Sequence, residues 1–325
     1  MSNQKHKTSI GGQALIEGIM MRGPKGNAMS VRLPDGTIET EVEPFVPLKN
    51  KCKILGWPII RGVAGFIESM ATGYKYLMKS ADKTMTEEEK EEEMSKLDRW
   101  LTDHMGEKMM AFVGVISAIL GVALAFVIFM YLPTLCVDLI DDYILRNVDI
   151  LRFHPLLEGV LRMIIFVLYM YVVSRMSMIK RVFMYHGAEH KTIFCYENAL
   201  DLTVENVRKM SRFHPRCGTS FMFVMIIISV LVSSALVLIF PELAEINRLL
   251  WIAIKVAILP LVMGLGYEFI KYAGKHENII VKFLSAPGLL MQRITTVEPT
   301  DDIIEVAIES IKAVITDNPE DDKIK

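Results

Sequence analysis

A chain of 325 residues with 52% hydrophobic residues, gathered in blocks rather than spread evenly, reads as a polytopic membrane protein and not as a soluble one. The formal net charge of −2, with no basic stripe interleaved with aromatics, excludes a nucleic-acid partner. Four cysteines (Cys52, Cys136, Cys195 and Cys217) form no Cys-x-x-Cys pair and imply no disulfide framework.

Residues 1–10 are polar, lack the apolar core of a signal peptide and read as a frayed terminus. The stretch from Gly11 to Pro24 is apolar but broken by glycines, Gln13, Glu17 and Arg22, and is too short to cross a bilayer. Residues 28–33 and 37–42 alternate around Pro34-Asp35-Gly36, which predicts a hairpin. Residues 1–57 are therefore expected to form a small, partly β cytosolic element. From Pro58 to Lys79 the apolar positions follow a helical period, with Val63, Phe66, Ile67, Met70, Tyr74, Leu77 and Met78 on one side. Gly65, Ser69 and Gly73 add a strip that permits close helix approach, while Arg61, Glu68 and Lys75 argue against spanning. The expectation is an interfacial helix, followed to residue 110 by a solvated acidic linker containing Glu87 to Glu93.

Residues 111–291 hold four segments long and apolar enough to span: roughly Ala111–Val137, Leu157–Ile179, Ser220–Phe240 and Leu249–Ile270. Arg162, Arg175, Lys255 and Glu268 lie within the second and fourth, where ionisable groups face a protein interior or snorkel. The loop between spans two and three carries seven Lys and Arg residues, and the segments flanking the first and last spans carry more. By the positive-inside rule both termini and this loop, residues 180–219, belong in the cytosol, and the first loop with Asp138, Asp141 and Asp142 faces outside. The fold class expected is mainly α: about four transmembrane helices, the N-terminal element and, over residues 292–325, a C-terminal amphipathic helix. That helix starts near Pro299-Thr300-Asp301-Asp302 and uses Ile304, Ile308, Ile311 and Ile315, an apolar stripe that must dock, most simply on the N-terminal element. Residues 318–325 are expected to be disordered.

The chemistry-bearing stretch is Tyr185-His186-Gly187-Ala188-Glu189-His190-Lys191-Thr192. Histidines at i and i+4 share one helix face and can reach a single ion, and a glutamate at i+3 borders that face, where it could take a proton from water. His-x-x-Glu-His is the order of the inverzincin motif. Span two is expected to end just before His186, and span three to begin just after His214-Pro215-Arg216-Cys217-Gly218. A helix capped by Thr203 and reaching about Arg212 links the two, and Pro215 ends it. His186, His190, His214 and Cys217 then gather at one membrane surface, where span four delivers Glu268 and His276. Imidazole with thiolate favours zinc over magnesium or calcium.

Three stretches resemble the YqhQ-like family of bacterial multi-pass membrane proteins of unknown function, some catalogued as metal-dependent enzymes: Gly12 to Gly23, His186 to Lys191, and His214 to Phe221. The resemblance covers nearly the whole chain. It implies importance for Gln13, Glu17 and Arg22 without giving them roles.

Two functional readings follow. In the first, a zinc-dependent membrane hydrolase at the cytosolic surface uses His186 and His190 as ligands, a third ligand from His214, Cys217 or Glu268, and Glu189 as general base. Its substrate would be a membrane-proximal peptide or a lipid head group. In the second, His186, His190, His214 and Cys217 close a structural zinc site in a membrane scaffold or partner-binding protein. A transporter finds no inverted repeat in the chain.

Overall fold

The computed structural model describes residues 6–84, 107–143, 153–276, 278–318 and 320–323. The acidic run at 87–93, His104, Glu277 and most of the loop after the first span lie outside the described residues. The chain divides into two compact units: Met1–Thr84, Tyr169–Ile228 and Pro260–Lys325 form one, and Met85–Leu168 with Ser229–Leu259 the other. The four consecutive segments read from the sequence are thus interleaved, because the N-terminal, middle and C-terminal stretches fold together.

In the first unit, β1 (Gly11–Leu15), β2 (Gly18–Gly23), β3 (Gly26–Arg32) and β4 (Ile38–Glu43) form an antiparallel meander in that order. The predicted hairpin is β3–β4. Both faces of the sheet are covered. Ile19, Met21 and Ala28 pack against Ile303, Val306, Ala307 and Ile311 of the C-terminal amphipathic helix and against Tyr185, Ala188 and Ile193. Leu15, Met20, Met29 and Val31 face Tyr76 of the first long helix, α1 (Ile60–Thr84). Burial on both sides explains why β2 reads as an apolar run rather than as clean alternation.

Helix α1 is fixed to β4 by a ladder of charge. Lys75, Lys79 and Lys83 recur every four residues, and Glu43, Glu41 and Glu39 every two. Four helical residues advance about 6 Å and two strand residues about 6.6 Å, so the two series stay in register. Lys75 meets Glu43 at 2.5 Å and Lys83 meets Glu39 at 2.8 Å. Of the expected small-residue strip, Gly73 lies against β1, whereas Gly65 faces Tyr267. A Cβ on Gly73 would lie 2.3 Å from Gln13 Oε1, so a larger residue there would push the Gln13 amide aside. Away from the sheet, Ile67, Met70, Tyr74 and Met78 are exposed, the apolar stripe expected of an interfacial helix.

Among the described residues four helices are long and apolar enough to cross a membrane: Ile116–Tyr143, His154–Val173, Phe221–Ile239 and Arg248–Ala273, with mean hydropathies over their most apolar 18 residues of 2.3, 2.0, 2.9 and 2.2. In full, they comprise α2 (Glu107–Phe126) running through a π turn at Val127–Tyr131 into α3 (Leu132–Tyr143), then α4 (His154–Val173), α7 (Gly218–Ile239) and α8 (Arg248–Lys275). Between α4 and α7 lie α5 (Ser177–Glu197) and the short α6 (Val204–Arg208); α9 (Ile279–Thr295) and α10 (Asp301–Val314) close the chain.

Three expectations need correction. The second span does not run on to the histidines: it stops at Val173, Met176 turns extended with ψ 133°, and α5 starts afresh at Ser177, so His186 stands near the middle of a separate helix. Helix α6 is capped by the Thr203 side chain as expected, but it ends at Arg208 rather than about Arg212. Near the two ends several of the described residues are tied down, while 1–5, 319 and 324–325 lie outside the described residues. Thr8 bridges to Lys323, and the buried Asp322 accepts from His6 Nε2 at 2.8 Å and from the Tyr196 hydroxyl at 2.6 Å. Hydrogen bonds between segments more than 300 residues apart replace the apolar pattern that local reading looks for.

Candidate metal centre

Helix α5 is the axis of the site. Its middle is buried because β1 and α10 pack on it, so polar side chains there need partners. The two histidines find them in backbone carbonyls: His186 Nδ1 lies 2.8 Å from Thr295 O and His190 Nδ1 lies 2.6 Å from Arg212 O. A carbonyl only accepts, so each Nδ1 carries the proton and donates. In the neutral ring the Nε2 lone pair is then left bare, the form in which imidazole ligates. Both carbonyls come from segments that have just left a helix. The early stop of α6 supplies that of Arg212, and the end of α9 supplies that of Thr295.

Cys217 arrives from the opposite side, immediately before α7. Its sulfur accepts from Thr219 N at 3.4 Å and stands 3.2 Å from Thr219 Oγ1, an N-cap arrangement at the positive helix end. His186 Nε2 is 3.1 Å from Cys217 Sγ, and ligand atoms of His186, His190 and Cys217 all lie within 4.8 Å of one another. Tetrahedral zinc with ordinary bond lengths holds a nitrogen and a sulfur about 3.6 Å apart, so the close pair need only open by about half an ångström. The residues fit the metal. Among the described residues no other His, Cys, Asp or Glu group meets this geometry.

A family model described as "Protein of unknown function (DUF1385)" matches residues 57–317. The chain belongs to that family. It is also 34% identical to the uncharacterized protein YqhQ of Bacillus subtilis (strain 168) over 323 residues, which is 97% of this chain and 95% of that protein. No solved structure matches.

The three stretches that first suggested this family meet in one place. Glu189 is buried on α5 and accepts from Gly12 N at 3.0 Å, so β1 closes over it, and burial pushes its carboxyl above the ordinary range. Its carboxylate does not join the ligand cluster. Glu17, in the tight turn after β1 with φ 48°, is clamped by the Arg181 guanidinium and receives the Tyr185 hydroxyl at 3.2 Å. Gln13 rests on Gly73, while Arg22 donates to Asn27 at 3.0 Å and stacks over Phe45 at 3.8 Å. These three residues of the opening stretch therefore hold the sheet to its neighbours rather than reaching the cluster.

His214 stands beside the centre but outside the cluster of ligand atoms. Its ring centroid is 5.4 Å from that of His190 and 4.6 Å from that of Phe194, and both ring nitrogens lie 3.3 Å from Arg216 donors. Burial first, then the Arg216 charge, brings its pKa down to about 2 and keeps it neutral. Arg216 in turn pairs with Glu197 and donates to Thr8 O at 2.6 Å. Glu268 is not a third ligand, because its carboxylate is taken by Arg61 in a two-pronged pair. His276 is exposed and stacks on Tyr272.

Two residues that sequence reading missed position the turn. Gln292, fully buried, accepts from His214 N and donates to His214 O, both at 2.7 Å. Lys191, also buried, donates to Arg208 O at 2.8 Å and pairs with Glu298. A glutamine within an apolar helix was the one available signal for the first. The carbonyls of Thr295 and Arg212 leave none, since every residue has one.

Proposed function

We propose that this chain is a multi-pass membrane protein that binds one zinc ion through His186, His190 and Cys217 and uses it for hydrolysis. The observation that carries the reading is the pair of Nδ1–H to carbonyl bonds, which commit both histidines to offer Nε2 toward the same sulfur. Outer partners of this kind orient ligating histidines and raise their basicity. Three protein ligands are the set typical of catalytic zinc, in which a remaining position takes water and the metal lowers that water's pKa toward ~7. Glu189 is the general base of the reading. Buried beside β1, it would receive the proton without binding the metal, and its Gly12 contact fixes its direction. The charge pattern of the loops puts the centre on the cytosolic side of the plasma membrane, so the substrate class is a peptide segment or lipid head group presented there.

The closed structural site is the second reading. It draws on the burial of His190 and Cys217 and on the nearness of the His214 ring. Against it, an Arg216 donor stands 3.3 Å from each ring nitrogen, so whichever nitrogen lacks the proton already faces an Arg216 N–H.

Hydrolysis of p-nitrophenyl acetate by the purified, zinc-loaded protein separates the two. The hydrolytic reading expects turnover that a chelator abolishes and that Glu189→Gln loses while keeping its zinc, because Gln still accepts from Gly12 N but takes up no proton. Turnover no faster than that of His190→Ala rejects it.

A further inference from the structure

The second unit holds charged side chains that the metal centre does not use. Glu158 on α4 and Lys255 on α8 are each 2% exposed. Lys255 Nζ donates to Glu158 Oε2 at 2.7 Å and to Thr134 Oγ1 at 2.8 Å, and Trp251 Nε1 donates to the other Glu158 oxygen at 3.2 Å. Further along α4, Arg162 Nε donates to the Phe129 carbonyl at 2.8 Å. That carbonyl stands four residues before Pro133, which has no N–H to give it, at the π turn that joins α2 to α3. Arg162 thus has a structural role that the Glu158–Lys255 pair does not share.

Toward the helix ends, Arg248 Nε donates to Asp138 Oδ2 at 2.6 Å, and His154 Nε2 lies 3.1 Å from Asp141 Oδ2. A cavity of about 50 Å³ lies at these ends, with Thr134, Asp138, His154, Arg248 and Trp251 beside Val237, Leu243 and Ile246 in its wall. One water needs roughly 10–15 Å³ and two to four polar partners, so this space suits a short file of waters. Thr134 and Trp251, which hold Lys255 and Glu158, both line it. Glu158 is one helical turn, roughly 6 Å, inward from His154, and Lys255 is two turns, roughly 10 Å, inward from Arg248.

We propose that Glu158 and Lys255, with Thr134, form a proton-exchange site that water reaches through this cavity from the ends of α3, α4 and α8. Moving one proton from Nζ to Oε2 removes two buried charges, so desolvation opposes the ion pair and favours the neutral acid–amine pair. Uptake adds a proton from a hydronium ion to the Glu158 carboxylate, leaving a water in the cavity and one more positive charge on the site. The groups facing Glu158 are Lys255 and Trp251 of α8 and Arg162 of its own helix; those facing Lys255 are Glu158, Thr134, Asp138 and Arg162. Mere stapling would be served as well by apolar side chains and would need no polar cavity.

The test is infrared difference spectroscopy of the full chain in lipid on acidification. Glu189 is the other buried glutamate among the described residues, so the host is Glu189→Gln carrying ¹³C-labelled glutamate. The expected result is a protonated-carboxyl C=O band that moves with the ¹³C label, shifts in D₂O, disappears in Glu158→Gln and persists in His190→Ala. The label assigns the band to glutamate, and Glu158→Asp, in which the Glu158 part of the band must lose its ¹³C sensitivity and move, assigns it to this position if Glu158→Gln fails to fold. Absence of a ¹³C-sensitive band, a band that does not exchange in D₂O, or its survival in folded Glu158→Gln overturns the proposal.

Discussion

Replacing Gly187 by alanine sets two magnitudes against each other. Gly187 lies inside α5, where alanine is the better helix former by about 1 kcal/mol. The added methyl, however, would stand 2.2 Å from the carbonyl oxygen of Val297, where an ordinary carbon–oxygen contact is about 3.3–3.6 Å. The obstacle is backbone, held in place by the Val297 N to Phe183 O bond of 2.9 Å, and cannot swing aside as a flexible side chain would. Relief must shift the segment by about 1 Å, and that segment includes the Thr295 carbonyl to which His186 donates. Overpacking costs typically ~1–3 kcal/mol, which cancels or outweighs the helix gain and leaves a net loss of up to ~2 kcal/mol. Disturbing the outer partner of a ligating histidine lowers metal affinity about 10–100-fold. Thermal unfolding in detergent and competitive zinc titration measure the two effects. A Gly187→Ala protein more stable than wild type, with unchanged zinc affinity, would refute both the close approach and its link to the site.

Other outcomes follow from single contacts. Asp322→Ala strips the Tyr196 hydroxyl and His6 of their acceptor and is expected to lower stability by ~1–3 kcal/mol, read as a fall in Tm; no change would return the C-terminal residues to a loose tail. The Lys75 hydrogen bond brings the Glu43 carboxyl down to about 2. Because the folded value is depressed, the stabilisation is present above about pH 4.5 and lost as pH falls toward about 2. Glu43→Gln should flatten that stretch of the acid-denaturation profile by less than ~1 kcal/mol, since the pair is part-exposed and screened; an unaltered profile would remove Glu43 from the ladder. For topology, Asp142→Cys should react with an impermeant thiol reagent from outside the cell, whereas labelling of a cysteine placed within residues 200–210 would reverse the orientation.

The four apolar helices, the β3–β4 hairpin and the docking of the C-terminal amphipathic helix were legible because each rests on a local period. Thr203 was legible as a cap for the same reason. Pairing across distance was not. The Lys75–Lys79–Lys83 and Glu39–Glu41–Glu43 series each look like a solvated face, and only the agreement of helix and strand rises joins them. At the centre, His186, His190 and Cys217 announced themselves by residue type and spacing. His214 matched them in type and lay closer to Cys217 in sequence, yet an Arg216 donor faces whichever of its nitrogens is free to accept. Glu268 had the right chemistry and a nearer partner in Arg61.

Zinc content with X-ray absorption at the zinc edge, on protein purified without added chelator, tests the central claim most directly. The account predicts about one zinc per chain bound by two imidazoles and one sulfur, with the sulfur scatterer lost in Cys217→Ser and the metal lost in His186→Ala and His190→Ala. Wild-type protein that takes up no zinc, or full zinc retention in both histidine variants, would contradict it.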